Sequence, residues 1–443
     1  MLKREYISAG AAITAALTML AGDGCMKSSS TDPAAGGGPG GVGNPVTITG
    51  KIIGQNGQPV AGVPVFVTGK PSTNSDGGGS FTIANVTTPY DLSIVDATNR
   101  SALVYKGLTR TDPTVLFVGA TPGAPHSGSA SGAISGGTFT PNEGASDQTT
   151  VVFSSPEATG STTASASGAF GPVSLSWFGP TVTTGTLYAL QVTLDGAGIP
   201  IASGYRGYGV RSGIALNDGS TLNNQFDTLK AVSTNQCTGT VSVPAGYTLA
   251  AKVLYARVTQ TAILGLLADL SPTPAFSYYT PAIPGATLLL GTEIIKAGGG
   301  KEIQWENGLG TGATNLQVAM IGPPELSLPI AAATGVDTTV TFSWTPMTGG
   351  VHLVLFGGGV GTPTYYVLTA GTTASIPNMK PFGLGLPPSA PYTWSVIGLG
   401  PFSSVDAACG SASFIAWLRT PPVLATGEVL VGQSAGRSFT TAP

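Results

Sequence analysis

Charge is what this 443-residue chain has least of: Asp, Glu, Lys and Arg make up only 9% of it, against a usual share of about 25%. The 18 basic and 21 acidic residues leave a net charge of −3, and neither sign forms a run. A nucleic-acid surface needs clustered Lys and Arg to replace counterions around phosphates, so nucleic acid is not an expected partner. Histidine is limited to His126 and His352, whereas zinc, non-haem iron and general-base sites often draw on several. His126 follows Pro125 in a Gly/Ser-rich stretch and His352 falls in an alternating segment, so both read as structural. Three cysteines, Cys25, Cys237 and Cys409, contain no Cys-x-x-Cys-His, which removes covalent haem. After the first residues, no uninterrupted apolar run approaches the ~20 residues of a membrane-spanning helix.

What is abundant points one way. Hydrophobic residues are 42% of the chain, too many for disorder, which needs low hydrophobicity and high charge. Gly (65) and Pro (34) punctuate segments rich in Thr, Ser, Val and Ala. That mixture suits short strands and tight turns rather than amphipathic helices, and the glycines keep no three-residue collagen period. The expected fold class is all-β, a series of tandem β-sandwiches, and the length exceeds one ordinary core.

At the start, Lys3 and Arg4 precede an uncharged stretch from Ile7 to Ala21, the general form of a secretory signal. Cys25 follows, then Ser28 to Ser30. This region resembles a bacterial lipoprotein signal, although Asp23 and Gly24 separate Leu20-Ala21-Gly22 from the cysteine. The resemblance implies lipidation of Cys25, export, and a membrane anchor in the cell envelope. The alternative is an ordinary cleaved signal. With residues 1–25 as signal, 26–45 (ending GGGPGGVGNP) read as a flexible linker. Cys237 and Cys409 fall in different expected domains, where two buried free thiols are the plainer reading than a bond.

Residues 46–120 open with VTITGKII, turn at Asn56-Gly57, return through Pro59 to Val67, turn again at Asp76-Gly77, and continue through Ser80-Phe81-Thr82 and Tyr90-Asp91-Leu92. This order resembles the carboxypeptidase regulatory-like domain, a transthyretin-like sandwich that implies a noncatalytic module. Residues 127–236 and 237–322 read as two related sandwiches. Ser131-Gly132-Ala133-Ile134-Ser135 corresponds to Thr238-Gly239-Thr240-Val241-Ser242, and Phe170 to Phe276. Residues 323–443 carry Trp344 on an early alternating segment, Leu386-Pro387, and then Tyr392-Thr393-Trp394. They resemble a divergent fibronectin type III domain, with Trp344 filling the space between two sheets.

Catalytic patterns do not hold up. Gly432-Gln433-Ser434-Ala435-Gly436 has the Gly-x-Ser-x-Gly form, but no acid or His follows it. Gly298-Gly299-Gly300-Lys301 is followed by Glu302 where a phosphate loop needs Ser or Thr. Glu143, Asp147, Glu157, Glu302 and Glu306 have no spacing that requires a glycosidase pair. No catalytic residue, cofactor or metal ligand is assigned. One cluster stands out, Tyr205, Arg206, Tyr208 and Arg211: tyrosine offers an amphipathic face and arginine a planar fork of donors. It reads either as a binding patch or as an ordinary strand with tyrosines inward and arginines outward.

The expectation is a noncatalytic, exported binding or scaffold protein whose partners are a protein or glycan at the cell surface, or further copies of itself, because low charge leaves strand edges poorly defended. Carbohydrate binding, or an accessory role beside an exported hydrolase, is the alternative; Trp305, Tyr278 and Tyr279 would serve it if exposed and coplanar, with core positions the plainer reading for each. Replacing Cys25 by Ser is expected to move the protein from the membrane fraction to the soluble fraction. Intact mass measurement of the wild type should find the acyl chains; a wild type without added lipid removes the anchor.

Overall fold

The computed structural model describes residues 45–54, 57–117, 124–136, 146–410 and 426–443. The expected signal, Cys25, most of the linker, Asn56 and Glu143 lie outside the described residues. The described chain is all-β: thirty strands accompany one four-residue α-helix, Val405–Ala408, and a short 3-10 turn.

Three successive stretches share one topology. In the first, the strand Val46–Gly54 lies between antiparallel Ser80–Val86 and parallel Thr114–Phe117. In the second, His126–Ser135 lies between antiparallel Ala169–Trp177 and parallel Ser220–Thr228. In the third, Thr234–Ser242 lies between antiparallel Ala275–Pro281 and parallel Leu316–Ala319. Each three-stranded sheet is accompanied by four strands in matching order. These are Thr73–Asn74, Pro64–Val67, Tyr90–Asp96 and Ser101–Leu108; then Thr159–Thr163, Asp147–Ser154, Val182–Leu194 and Pro200–Asn217; then Ile263–Asp269, Tyr247–Arg257, Thr287–Lys296 and Lys301–Leu309. The duplication read in the middle of the sequence is therefore a triplication that includes the first stretch.

A glycine explains why the pattern recurs. Gly50 pairs with Phe81, Gly132 with Phe170 and Gly239 with Phe276. A Cβ on these glycines would stand 2.8 Å from Pro113 O, 1.7 Å from Gln225 O and 2.6 Å from Leu316 O respectively. In every copy the backbone at the parallel strand comes too close for any side chain, and only glycine leaves that space.

The C-terminal unit sets three strands, Glu325–Leu328, Phe342–Thr345 and Thr373–Ala374, against Thr364–Thr369, Val351–Gly358, Pro391–Gly400 and Arg437–Thr441. This is a fibronectin type III-like arrangement. Its core includes Trp344 and Trp394, and Phe342 meets Phe356, Trp394 and Phe439 edge-on at centroid distances of 4.7, 5.0 and 5.4 Å, the geometry ring quadrupoles favour.

Strand pairing then joins the units. Ser101–Leu108 of the first copy pairs in parallel with Thr364–Thr369. Lys301–Leu309 of the third copy pairs with Gly427–Gln433, which pairs onward with Pro391–Gly400. One sheet thus runs from the third copy through the C-terminal unit into the first. Its inner face supplies a common core containing Tyr105, Leu289, Trp305, Leu353, Ile397 and Val429. The helix Val405–Ala408 reinforces the joint: Asp406 Oδ1 accepts from Thr109 N and Arg110 N at 2.9 and 3.1 Å, and Arg110 Nη1 donates to Asp406 O at 2.7 Å. The equivalent edge of the second copy, Pro200–Asn217, is met at Tyr208 by Lys230, with backbone bonds of 2.8 and 2.9 Å in both directions. Cys237 and Cys409 are separate buried thiols.

Because Trp305 packs where units meet, Trp305→Ala should cost about 3–5 kcal/mol. Far-UV circular dichroism and tryptophan fluorescence should record one coincident, earlier unfolding transition. Separate transitions for the first and third copies would contradict a common core.

Candidate functional site

The strand Pro200–Asn217 carries all four residues of the sequence cluster. Tyr205 points inward and is only 3% exposed, in a cluster with Val152, Tyr188 and Leu190 of its own copy and Leu264 and Tyr278 of the third. Its hydroxyl is buried without a hydrogen-bond partner, and burial drives its pKa far up. Tyr208 packs, half-buried, against the same cluster, and burial again raises its hydroxyl, helped by Tyr188 and Asp227. The tyrosines therefore help to fill the joint between the second and third copies.

The arginines lie beside carboxylates. Arg206 Nη1 stands 3.5 Å from Asp147 Oδ2, whose side chain is almost wholly covered. Arg211 acts on Asp227, a buried carboxyl that the sequence cluster did not include. Burial pushes Asp227 up to about 6, against the lowering effects of the Thr228 N–H, Arg211 and Lys230. Its Oδ1 accepts from Thr228 N at 2.7 Å, and its Oδ2 has no hydrogen-bond partner. A Cβ on Gly209 would lie 2.6 Å from that oxygen, so glycine makes the burial of Asp227 sterically feasible. The local signal was the unusual Tyr-Arg-Gly-Tyr-Gly run; the carboxylate beneath it arrives from the following strand.

The aromatic residues considered for glycan binding are mostly internal. Trp305, 5% exposed, lies in the common core near Tyr255, at a ring distance of 5.9 Å. Tyr278 is buried, and its hydroxyl donates to Asp269 Oδ2 at 2.6 Å. Asp269 also holds the fully buried Lys252, whose Nζ lies 3.1 Å away and donates to Ser271 O and Thr273 O at 2.8 and 3.0 Å. Tyr279 is half-buried. These three rings form no exposed platform.

A groove of about 220 Å³ opens between the hairpin of the third copy and the C-terminal unit. Tyr247, Lys296, Pro323, Glu325 and Arg437 line it, with Gly298–Gly300 at one end. All three glycines have positive φ, which identifies the Gly-Gly-Gly-Lys run as the turn between two strands. Lys296 pairs with Glu325 and stands 5.4 Å from the Tyr247 ring centre, within cation–π range. Tyr247 donates to Glu325 Oε1 at 3.1 Å. Lys296 and this bond hold Glu325 below its ordinary range, while burial and Glu325 push Tyr247 up to about 12. The groove thus sets an aromatic ring against an ion pair.

Other sequence candidates have local roles. Ser434 Oγ accepts from Val396 N at 2.9 Å, and Glu157 accepts from Thr183 Oγ1 at 2.6 Å. His126 Nδ1 lies 2.9 Å from Asp218 Oδ2 and its Nε2 3.2 Å from Gly179 O; buried His352 accepts from Met347 N at 3.1 Å. Among the described residues, no three His, Cys, Asp or Glu side chains gather as a metal site, and no helix is long and apolar enough to cross a membrane.

No protein-family model matches the chain, and no curated protein does. Among solved structures, the Bacillus anthracis TIE protein aligns at 9% identity over 63% of this chain, with a TM-score of 0.15; the alignment spans about half of that protein, 51%. The FN1–FN3 domains of chicken CNTN1 align at 9% identity over 69% of this chain and 91% of theirs, with a TM-score of 0.17. Two B repeats of the Staphylococcus aureus collagen-binding protein align at 9% identity over 80% of this chain and 93% of theirs, with a TM-score of 0.14. The fold class rests on the strand pairing itself.

Asp227 yields a pH dependence. Its folded pKa exceeds its unfolded value, so the folded chain binds the proton more tightly and stability from this group falls as pH rises through about 6. Asp227→Asn is expected to flatten that component, worth about 3 kcal/mol at neutral pH. Chemical denaturation at pH 5 and pH 8 measures it; an unchanged difference between the two conditions would contradict the assignment.

Proposed function

We propose that this chain is a noncatalytic scaffold or binding protein of the bacterial cell envelope, exported and held there by lipid on Cys25. The observation that carries the reading is the sheet that passes through the third copy, the C-terminal unit and the first copy. Such continuity suits holding surfaces at fixed spacing. The resemblance of 46–120 to carboxypeptidase regulatory-like modules and of 323–443 to fibronectin type III domains supports the same reading. On the described surface, Arg206, Arg211 and the accessible flank of Tyr208 form the proposed contact for a protein or glycan at the cell surface.

Tyr205 belongs to the packing beneath that contact, so its loss would mix unfolding with lost binding. The informative variant is Arg206→Lys with Arg211→Lys, which keeps a positive charge beside Asp147 and Asp227 but removes the planar donor fork. It should keep the wild-type circular dichroism spectrum and lose at least tenfold in capture of its partner from envelope extract. A folded double variant with undiminished capture rules out this contact. The groove beside Tyr247 favours a second reading, glycan binding, because its lining sets an aromatic ring beside the polar groups of Lys296, Glu325 and Arg437, which suit sugar hydroxyls. A glycan array compares Tyr247→Ala with the wild type: selective loss of a bound glycan supports this reading, and no wild-type binding removes it.

A further inference from the structure

The seam between the third copy and the C-terminal unit sets two carboxylates face to face. Glu306 on Lys301–Leu309 is the direct partner of Glu428 on Gly427–Gln433, and both are half-buried. Like charges directly opposite on neighbouring strands repel. Neither forms an ion pair among the described residues. Lys252 pairs with Asp269, and Arg257 Nη2 donates to Asn307 Oδ1 at 3.2 Å. Burial and Glu306 raise the pKa of Glu428, and Glu428 contributes to the raised pKa of Glu302.

Gln304 supplies an independent sign. It lies two residues before Glu306 on the same strand, hence on the same sheet face, and is only 3% exposed. Its Nε2 donates to Glu306 Oε1 at 2.7 Å, which places the amide against the carboxylate. Yet its Oε1 is buried with no hydrogen-bond partner. Two carboxylates without a cation therefore adjoin a buried carbonyl oxygen without a donor. Glu302, the third carboxylate on this face, accepts instead from Gly322 N and Ile321 N.

We propose that Glu306, Glu428 and the Gln304 carbonyl oxygen form a calcium site that ties the third copy to the C-terminal unit. An all-oxygen set selects a hard divalent cation over zinc or copper. Calcium–oxygen distances of 2.3–2.6 Å let one ion bridge oxygens up to about 5 Å apart, comparable to the spacing of side chains directly opposite across a strand pair. Water completes the shell. Two formal negative charges match the ion, and its binding converts the repulsion at the seam into attraction. This site is independent of the partner contact at Arg206 and Arg211.

Thermal unfolding of the full chain in EDTA and in millimolar CaCl2, with calorimetric titration of CaCl2, tests the proposal. The wild type should melt several degrees higher in calcium and bind one ion at the seam. Glu428→Gln should lose that response, yet melt above the wild type in EDTA because the like-charge pair is gone. That second readout separates a lost site from a damaged fold. A wild type indifferent to calcium overturns the proposal, as does a Glu428→Gln protein that keeps the full calcium shift.

Discussion

The outer edges of the sandwich copies are the constraint on which this architecture depends. An edge strand presents unpaired N–H and C=O groups, and soluble proteins usually protect them with charge, proline or a covering element. This chain has little charge to spend on protection. It completes two equivalent edges with strands of its C-terminal unit: Ser101–Leu108 takes Thr364–Thr369, and Lys301–Leu309 takes Gly427–Gln433. At the third equivalent edge, Lys230 bridges to Tyr208. The sparse charge and the joined sheet are two aspects of one solution.

Pairing of this kind changes what a core residue does. Trp305 covers Gly291, where a Cβ would meet its ring at 2.5 Å, and it also belongs to a cluster drawn from the first copy and the C-terminal unit. Removing it would loosen more than one sandwich. The same logic places the polar features of interest at joints. The tyrosines at 205 and 208 pack between the second and third copies, the Tyr247 groove opens between the third copy and the C-terminal unit, and the Glu306–Glu428 pair sits on their common seam.

Much of this was legible from local pattern. Alternation in VTITGKII and in Tyr392-Thr393-Trp394-Ser395-Val396 marks strands because neighbouring side chains leave opposite faces of a sheet. The correspondence of Gly132 with Gly239, and Phe170 with Phe276, marked two copies because those pairs lie opposite each other in both. The first copy escaped notice although Gly50 and Phe81 repeat the pair; its turns are more distinctive than its glycine, and shorter connections alter the spacing. Trp305 and Tyr278 could serve sugars only if exposed, and the core positions they take were the plainer reading, because an aromatic residue carries no mark of which face it will occupy once several sheets meet.

By itself, the sequence determined that this protein is built of strands, that its sheets pack as successive sandwiches, and that its C-terminal unit is organised around tryptophan. Those properties follow from period-two patterning and turn chemistry, which act over a few residues. Only the tertiary structure decided which edges would join, placed Asp227 under Gly209, and set Glu306 against Glu428. Backbone hydrogen bonding between edges is nearly blind to side-chain identity, so strands more than a hundred residues apart leave little trace of their partnership in the order of the amino acids.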